Sequence, residues 1–183
     1  MITLKKVDTK NLWKIAGLKV REDQRDFVAS NAESIMEAYV YTQAGAVALP
    51  FGIYADDTPV GFVMFGYGDL PEEENPAIAA GNYSIWRFMI DEKQQGKGYA
   101  KAAMAAALDY IRTFPCGPAD CCWLSYEPEN TAAKTLYHRF GFQENGETDG
   151  EEIVAVLPLT EAPNSSEILK RYGSRGQFCG FRV

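Results

Sequence analysis

Several features are scarce in this sequence, and each scarcity excludes a class of protein. No run approaches the roughly 18 consecutive apolar residues of a transmembrane helix, although 46% of the 183 residues are hydrophobic. The N-terminus carries charge but no apolar signal-peptide core, so we expect a cytoplasmic protein without a membrane partner. Lysine and arginine number 18 against 25 acidic residues, a net charge of −7. This balance disfavours nucleic acid as a partner, because phosphate binding needs clustered cations.

Metal ligands are scarce as well. The sequence has one histidine, His138, and four cysteines: Cys116, Cys121, Cys122 and Cys179. The cysteine spacing matches neither a zinc pair nor a Cys-x-x-Cys redox motif. We therefore predict no metal site, and we expect thiols that stay reduced in a reducing compartment.

The acidic balance itself has two interpretations. An acidic protein raises the local concentration of cations, so a basic small molecule is an electrostatically reasonable substrate. The alternative is that the negative charge serves only solubility, as it does in many proteins. Composition alone leaves both interpretations open.

The pattern of apolar residues predicts a single α/β domain with a mixed sheet, in which hairpins come first and helical crossovers later. The predicted strands are 2–7, 46–54, 60–67, 83–90, 121–126 and 153–159, and the predicted helices start at Asn11 and span 26–41, 99–114 and 130–140. One or two further short strands are compatible with the pattern. In the second helix, Ile35, Met36, Tyr39 and Val40 are predicted to share one apolar face.

A glycine-containing turn joins a predicted strand to an alanine-rich helix. N–H groups at a helix start lack intrahelical acceptors and lie at the positive end of the macrodipole, so a phosphate group suits them. Gly96 and Gly98 leave room for it, and Lys97 either contacts the phosphate or stays solvated. The turn is no Rossmann fingerprint, because Lys101 stands at the third glycine position, and no P-loop. On the residues alone, a simple tight turn is the alternative.

Two sequence blocks resemble the GNAT superfamily of acetyltransferases. Gln95-Gly96-Lys97-Gly98-Tyr99-Ala100 is similar to the signature Gln/Arg-x-x-Gly-x-Gly/Ala, which cradles the pyrophosphate of acetyl-CoA in that family. Residues 130–142 resemble the family pattern Asn-x-x-Ala-x-x-Leu-Tyr-x-x-x-Gly-Phe. The resemblance implies a mostly antiparallel twisted sheet with helices on both faces, acetyl-CoA as co-substrate, and a homodimer as a compatible assembly. It covers a domain of residues 1–159, with 160–183 as a C-terminal extension of unknown role.

The same resemblance implies roles for individual residues. Tyr137 is expected to act as the general acid toward the departing CoA thiolate, with a core aromatic as the alternative. Asn130 is expected both to contact acetyl-CoA and to cap its helix. For Lys134, the alternative to a contact with acetyl-CoA is a solvated side chain. The residues expected to contact acetyl-CoA are Phe88, Met89, Ile90, Gln95, Gly96, Lys97, Gly98, Tyr99, Ala100, Asn130 and Lys134.

Residues 24–31, Ser34 and residues 86–91 resemble a narrower group, the bacterial diamine, spermidine and spermine N-acetyltransferases. This resemblance implies transfer of the acetyl group to a primary amine of a polyamine. The alternatives are an aminoglycoside, a protein amino group, or a non-catalytic module that senses acetyl-CoA.

The acceptor site is the least defined part of the prediction. Some GNAT enzymes carry a glutamate base on the strand before the pyrophosphate loop, but the equivalent position here is Ser84. Water relays or Glu127 are the candidate substitutes. Glu22 is expected to bind a second ammonium group, and Tyr83 and Trp86 are expected to line the acceptor channel. The alternatives are solvated carboxylates and core aromatics.

Overall fold

The computed structural model describes residues 1–159. Its strands are β1 (Ile2–Lys6), β2 (Val47–Ala55), β3 (Thr58–Tyr67), β4 (Tyr83–Ile90), β5 (Cys121–Tyr126), β6 (Gln143–Asp149) and β7 (Glu152–Pro158). Its α-helices are α1 (Leu12–Ala16), α2 (Asn31–Gln43), α3 (Tyr99–Ile111) and α4 (Thr131–Arg139). No helix in this range is long and apolar enough to cross a membrane. The predicted C-terminal extension, which includes Cys179, lies outside the described residues.

The described strands form one sheet in the order β1-β2-β3-β4-β5-β7-β6. Every neighbouring pair is antiparallel except β4 and β5, which run parallel. A parallel pair needs a crossover connection, and α3 lies on the connection between these two strands. The predicted α/β class with a mixed, mostly antiparallel sheet is confirmed.

Helices cover both faces of the sheet because its central strands are apolar on both sides. Along β3, Val63 packs into one core and its neighbour Met64 into the other, since successive side chains of a strand alternate. Leu108 of α3 belongs to the first core, and Ile15 of α1 belongs to the second. Burying each such side chain stabilises the fold by roughly 1.5–3 kcal/mol.

Helix α2 begins later than the sequence pattern predicts. The Ser30 hydroxyl accepts a hydrogen bond from the Glu33 N–H at 3.2 Å, and the Glu33 carboxylate accepts one from the Ser30 N–H at 2.9 Å. This reciprocal capping box fixes the helix start. Residues Glu22–Phe27 form a separate 3₁₀-helix, so the predicted helix over 26–41 is wrong at its N-terminal end.

The apolar face predicted for α2 is not the face that the helix buries. Met36, Tyr39 and Val40 are 60%, 69% and 61% exposed. The buried positions of the helix are instead small residues such as Ser34 and Ala38. Hydrophobic spacing therefore indicated the wrong side of this helix, because small side chains carry its packing.

Strand β6 has no apolar alternation and was not predicted as a definite element. Its sequence is QENGETD, and most of it is exposed, because it is an edge strand that pairs only with β7. The pairing is irregular between Glu144 and Thr148, where Gly146 has a φ of +88° and the strand accommodates extra backbone. The hairpin then brings Asp149 and Glu152 directly opposite each other.

Strands β4 and β5 separate soon after they pair. Their ladder consists of Tyr83 with Cys122 and Ser84 with Trp123. Beyond that point β4 continues to pair with β3, with a bulge that leaves Trp86 without an opposite residue. The edge of residues 85–90 that faces β5 has no partner strand among residues 1–159. The sheet is therefore open at its centre, which is where the candidate site lies.

Candidate active site

A cleft of about 590 Å³ lies where β4 and β5 separate. The unpaired edge of β4 offers backbone donors and acceptors to an extended substrate arm, in the manner of an added strand. Most residues predicted to contact acetyl-CoA line this cleft: Phe88, Met89, Ile90, Gln95, Gly96, Gly98, Tyr99, Ala100 and Asn130. The fold thus brings two distant sequence blocks to one surface.

The N-terminus of α3 lies at this cleft. Gly98 is the N-cap residue, with a φ of +80°, and no side chain caps the helix. Gly96 has a φ of +76°, and glycine adopts this left-handed conformation at low cost. The first N–H groups of the helix therefore remain available at the positive end of its dipole, which suits a pyrophosphate.

Gln95 holds the turn in place through its side-chain amide. Its NH₂ group donates to the carbonyl of Ile90 at 3.0 Å and to the Gln24 side chain at 2.8 Å. Its amide oxygen accepts a hydrogen bond from Arg21 at 3.0 Å. The turn is therefore tied both to the end of β4 and to the Glu22–Phe27 segment.

Two predicted cofactor residues lie outside the cleft lining. The Lys97 ammonium donates to the Lys93 carbonyl and to the Gln94 side chain, each at 2.9 Å. Lys134 forms an ion pair with Glu144 at 2.8 Å. Both side chains are thus engaged with the protein itself, and their contact with acetyl-CoA stays a prediction.

Besides Arg87, two cations that the sequence analysis did not single out line the cleft. Lys101 lies in the first turn of α3 and Arg139 at the end of α4. Either could face a phosphate group of a bound nucleotide. Lys101 was noted only because it breaks the Rossmann fingerprint, and nothing in the local pattern around Arg139 marked it.

Tyr137 lies on α4, and its side chain lines the same cleft. The residue is 7% exposed, and its ring contacts the rings of Tyr126 and Phe142 at centroid distances of 5.7 and 6.0 Å. Burial raises the pKa of Tyr137 above its usual value, and the Glu152 carboxylate raises it further. The phenol is protonated at neutral pH with or without this shift, so it carries the proton that a general acid needs. Both predicted roles, general acid and core aromatic, are compatible with this position.

A second cavity, of about 880 Å³, adjoins the cleft, and we call it the acidic cavity. Arg87 is the one cation among the described residues that line it, and it pairs with Glu37 at 3.2 Å. The remaining carboxylates give the cavity a negative potential that attracts cations. The carboxylate residues that line it are Glu37, Glu73, Glu74, Asp149 and Glu152.

Trp86 is the predicted acceptor residue whose position fits that role. It lines both the cleft and the acidic cavity, and its ring packs edge-on against Tyr41 at a centroid distance of 5.4 Å. Tyr41 in turn is hydrogen-bonded to Glu73, which raises the pKa of Tyr41 to about 12. Trp86 is therefore linked through Tyr41 to Glu73, in the acidic loop that precedes β4.

The position of Tyr83 does not fit the predicted acceptor channel. This residue is 1% exposed and lines neither cavity. Its hydroxyl donates to the carbonyl of Gly117 at 2.9 Å and accepts from the N–H of Cys116 at 2.8 Å. Burial raises its pKa to about 12. Tyr83 therefore anchors the loop after α3.

The two carboxylates predicted for the acceptor site also lie outside both cavity linings. Glu22 is an exposed residue of the 3₁₀-helix and pairs with Arg25 at 2.8 Å. Glu127 follows β5 and lines neither cavity, although its charge acts on Glu152. The acidic lining comes instead from α2, from the loop before β4 and from the hairpin of β6 and β7.

Glu152 is the residue that sequence reasoning missed most completely. Its carboxylate is hydrogen-bonded to the Ser125 hydroxyl, which also lies 3.2 Å from an Asp149 carboxylate oxygen. Burial raises the pKa of Glu152 above its usual value; Asp149 and Glu127 raise it too, whereas the Ser125 hydrogen bond and Arg87 lower it. The only signal in the sequence was an ordinary Glu-Glu doublet after a glycine, which marks a turn as readily as a site.

Comparison with known proteins agrees with this geometry. The spermine/spermidine N(1)-acetyltransferase of Bacillus subtilis (strain 168) is 33% identical over 161 residues, covering 84% of this chain and 96% of the relative. Two solved structures share the fold at lower identity. Spermidine N-acetyltransferase from Vibrio cholerae, in complex with CoA and spermine, gives a TM-score of 0.60 at 21% identity and covers 88% of this chain and 97% of its own. An aminoglycoside acetyltransferase in complex with coenzyme A gives 0.67 at 18% identity, covering 95% and 100%.

The fold and the open cleft define an acetyl-CoA-dependent N-acetyltransferase. The chain matches the Acetyltransferase (GNAT) family over residues 4–142 and belongs to that family. Acetyl-CoA is therefore its co-substrate. Within residues 1–159, no three histidine, cysteine, aspartate or glutamate side chains are grouped to hold a metal ion.

Proposed function

We propose that the enzyme transfers the acetyl group to a primary amine of a polyamine. The observation that carries this proposal is the acidic cavity beside the acetyl-CoA cleft. Alkyl amines have pKa values near 10, so a polyamine carries several positive charges at neutral pH. The carboxylates of the cavity that form no close ion pair within residues 1–159 are Glu73, Glu74, Asp149 and Glu152.

The distribution of these carboxylates favours a substrate with more than one ammonium group. Glu152 lines both the acidic cavity and the cleft, so it marks the end where the reacting amine would lie. Glu73 and Glu74 line the acidic cavity but not the cleft, and they come from a different element. A second ammonium group can therefore be held while the first one reacts.

The relatives favour the same substrate class. The curated relative at 33% identity is named for spermine and spermidine. The aminoglycoside acetyltransferase is similar to this chain at 18% identity, a level that speaks for the fold alone. We therefore prefer a polyamine to an aminoglycoside as acceptor.

The arrangement supports direct transfer from acetyl-CoA to the amine. Cys116, Cys121 and Cys122 line neither cavity, so no described cysteine is in place as a covalent nucleophile. Backbone N–H groups on the open edge of β4 can stabilise the oxyanion that forms as the amine attacks. Tyr137 can then give its proton to the leaving sulfur.

The proposal is tested by CoA release, followed with a thiol reagent across a panel of amines. The panel contains spermine, spermidine, putrescine, kanamycin, a lysine peptide and butylamine. Butylamine is the matched control, because it offers the same primary amine without a second cation. We expect kcat/KM for spermidine to exceed that for butylamine by at least about tenfold, since each additional ion contact in a shielded site contributes about 1 kcal/mol or more.

Two outcomes of this panel would contradict the proposal. Turnover confined to kanamycin or to the lysine peptide would move the acceptor to another amine class while leaving the acetyltransferase chemistry in place. Binding of acetyl-CoA without turnover of any amine would favour a sensor module instead.

A further inference from the structure

Acetyl transfer to an alkyl amine needs a group that removes a proton from nitrogen. With a pKa near 10, the amine is neutral only about once in a thousand molecules at pH 7. Strand β4 carries Ser84 at the position where some GNAT enzymes carry a glutamate base. A serine hydroxyl does not ionise at neutral pH, so Ser84 cannot replace that base. Glu127, the other candidate, lines neither cavity.

One carboxylate among the described residues lines both cavities. Five residues line the acetyl-CoA cleft and the acidic cavity together, namely Ile85, Trp86, Arg87, Ser125 and Glu152. Glu152 is the only carboxylate in that set. An amine that moves from the acidic cavity into the cleft crosses the boundary that these five residues form.

The surroundings of Glu152 suit a group that takes up and releases a proton. The Ser125 hydroxyl lies between the carboxylates of Glu152 and Asp149. A serine hydroxyl has one hydrogen and can donate to only one of them at a time. The charged and titratable groups that act on Glu152 or respond to it are Asp149 on β6, Glu127 after β5, Arg87 on β4 and Tyr137 on α4.

We propose that Glu152 is the base that takes the proton from the acceptor ammonium group, with Ser125 and Asp149 as positioning residues for its carboxylate. The inference rests on the proposed entry of the amine through the acidic cavity. The ammonium group forms a salt bridge with Glu152 and then transfers one proton to it, directly or through one water molecule. A carboxylate whose proton affinity is raised by burial performs this step better than an exposed one.

The remaining bond changes follow from the same geometry. The nitrogen lone pair forms a bond to the acetyl carbonyl carbon, and the carbon–sulfur bond then breaks with its electron pair on sulfur. Tyr137 protonates the sulfur, and the second proton on nitrogen restores the Tyr137 hydroxyl. Glu152 releases its proton to solvent, so each turnover yields an amide, a CoA thiol and one proton.

The test compares Glu152→Gln with Glu151→Gln, its exposed neighbour in the same hairpin. We expect Glu152→Gln to lower kcat/KM for spermidine at pH 7.5 by about 10²-fold or more, and Glu151→Gln to change it less than about twofold. Acetyl-CoA affinity, measured by calorimetry, should be the same in both variants. Glu152→Asp should recover part of the lost rate, because it restores the carboxylate.

The pH profile separates a base from a carboxylate that only binds the amine. In wild type, kcat/KM should level off once Glu152 is ionised. In Glu152→Gln it should keep rising, about tenfold for each pH unit, until the amine itself loses its proton near pH 10. A variant that keeps the wild-type profile and only raises KM would overturn the proposal, as would unchanged turnover.

The failure of the proposed substrate class is distinguishable from the failure of this inference. If wild type acetylates kanamycin or the lysine peptide but not spermidine, the polyamine proposal fails, and the same variants and pH profiles on that amine decide the role of Glu152. A wild type that turns over none of these amines overturns both.

Discussion

The acetyl-CoA cleft and the acidic cavity adjoin each other but are built in different ways. The cleft depends on backbone: a sheet edge without a partner strand and the uncapped N-terminus of α3. Its principal residues come from two continuous stretches of sequence. The acidic cavity depends on side chains brought from α2, the loop before β4, β4 itself, β5 and the hairpin of β6 and β7. Backbone sites leave local sequence signals such as glycines, whereas sites assembled from distant charged side chains do not.

Gly98→Glu is the strongest way to break the cleft while leaving the acidic cavity intact. We expect acetyl-CoA affinity to fall by at least about 100-fold. A carboxylate about 4 Å from a phosphate in a partly shielded site is repelled by about 4 kcal/mol, and the φ of +80° adds backbone strain. Calorimetric titration with acetyl-CoA measures the effect.

The matched control is Gly45→Glu, which introduces the same charge at a φ of +93° in the turn after α2. It should reproduce the strain without the loss of acetyl-CoA binding. Retained tight binding in Gly98→Glu would contradict the location of the pyrophosphate at this turn.

Tyr137→Phe tests the leaving-group acid in the acetyl-CoA cleft. We expect kcat to fall by about 10²-fold, the usual range for loss of a positioned acid, with little change in acetyl-CoA affinity. Tyr126→Phe is the control, because Tyr126 lines the same cleft but donates its hydroxyl to Glu144 at 2.8 Å. Equal turnover of the two variants would remove Tyr137 from the mechanism.

The acidic cavity can be weakened without touching the cleft by the double change Glu73→Gln and Glu74→Gln. We expect KM for spermidine to rise about tenfold and acetyl-CoA affinity to stay constant. Because the interaction is ionic and partly open to solvent, the difference should shrink at high salt. The neighbouring Glu72→Gln, outside the lining, should behave as wild type. A KM for spermidine that does not change in the double variant would argue against polyamine binding at this loop.

The smallest expected effect concerns the stability of the fold around Glu152. Its pKa is raised in the folded protein, mainly by burial, so ionisation is less favourable there than in the unfolded chain. The contribution of Glu152 to the free energy of unfolding is therefore largest below the ordinary glutamate pKa of 4.5. It decreases as the pH rises from there through the raised pKa of the folded protein. Glu152→Gln should unfold at a higher temperature than wild type at pH 7.5, with a difference that narrows toward pH 4. A lower unfolding temperature at pH 7.5 would contradict the assigned environment.

The contrast between the two regions also explains what sequence could predict. Gly96 and Gly98 could be predicted as a phosphate-binding turn because a strand, a turn and a helix follow one another in the chain, and Gln95 was implied by the resemblance to the family signature. The apolar face predicted for α2 is not its buried face, because the large residues Met36 and Tyr39 are exposed while small ones pack inward.

Strand β6 shows why the acceptor side escaped prediction. It is a polar edge strand without alternation, so nothing local marked it as a strand. The pairing of Asp149 with Glu152 depends on that strand and its turn, and the approach of Ser125 depends on a third strand. Glu22 and Glu127 were chosen by position in the chain, and the charges that line the cavity came from elsewhere.

A crystal structure with coenzyme A and spermidine would test the central claim most directly. We predict that the pyrophosphate lies on the N–H groups at the start of α3, and that spermidine lies in the acidic cavity. One terminal nitrogen should lie between the CoA sulfur and Glu152, and another ammonium group should lie near Glu73 and Glu74. Spermidine bound outside the acidic cavity, or a CoA sulfur that does not reach the junction of the two cavities, would contradict the account.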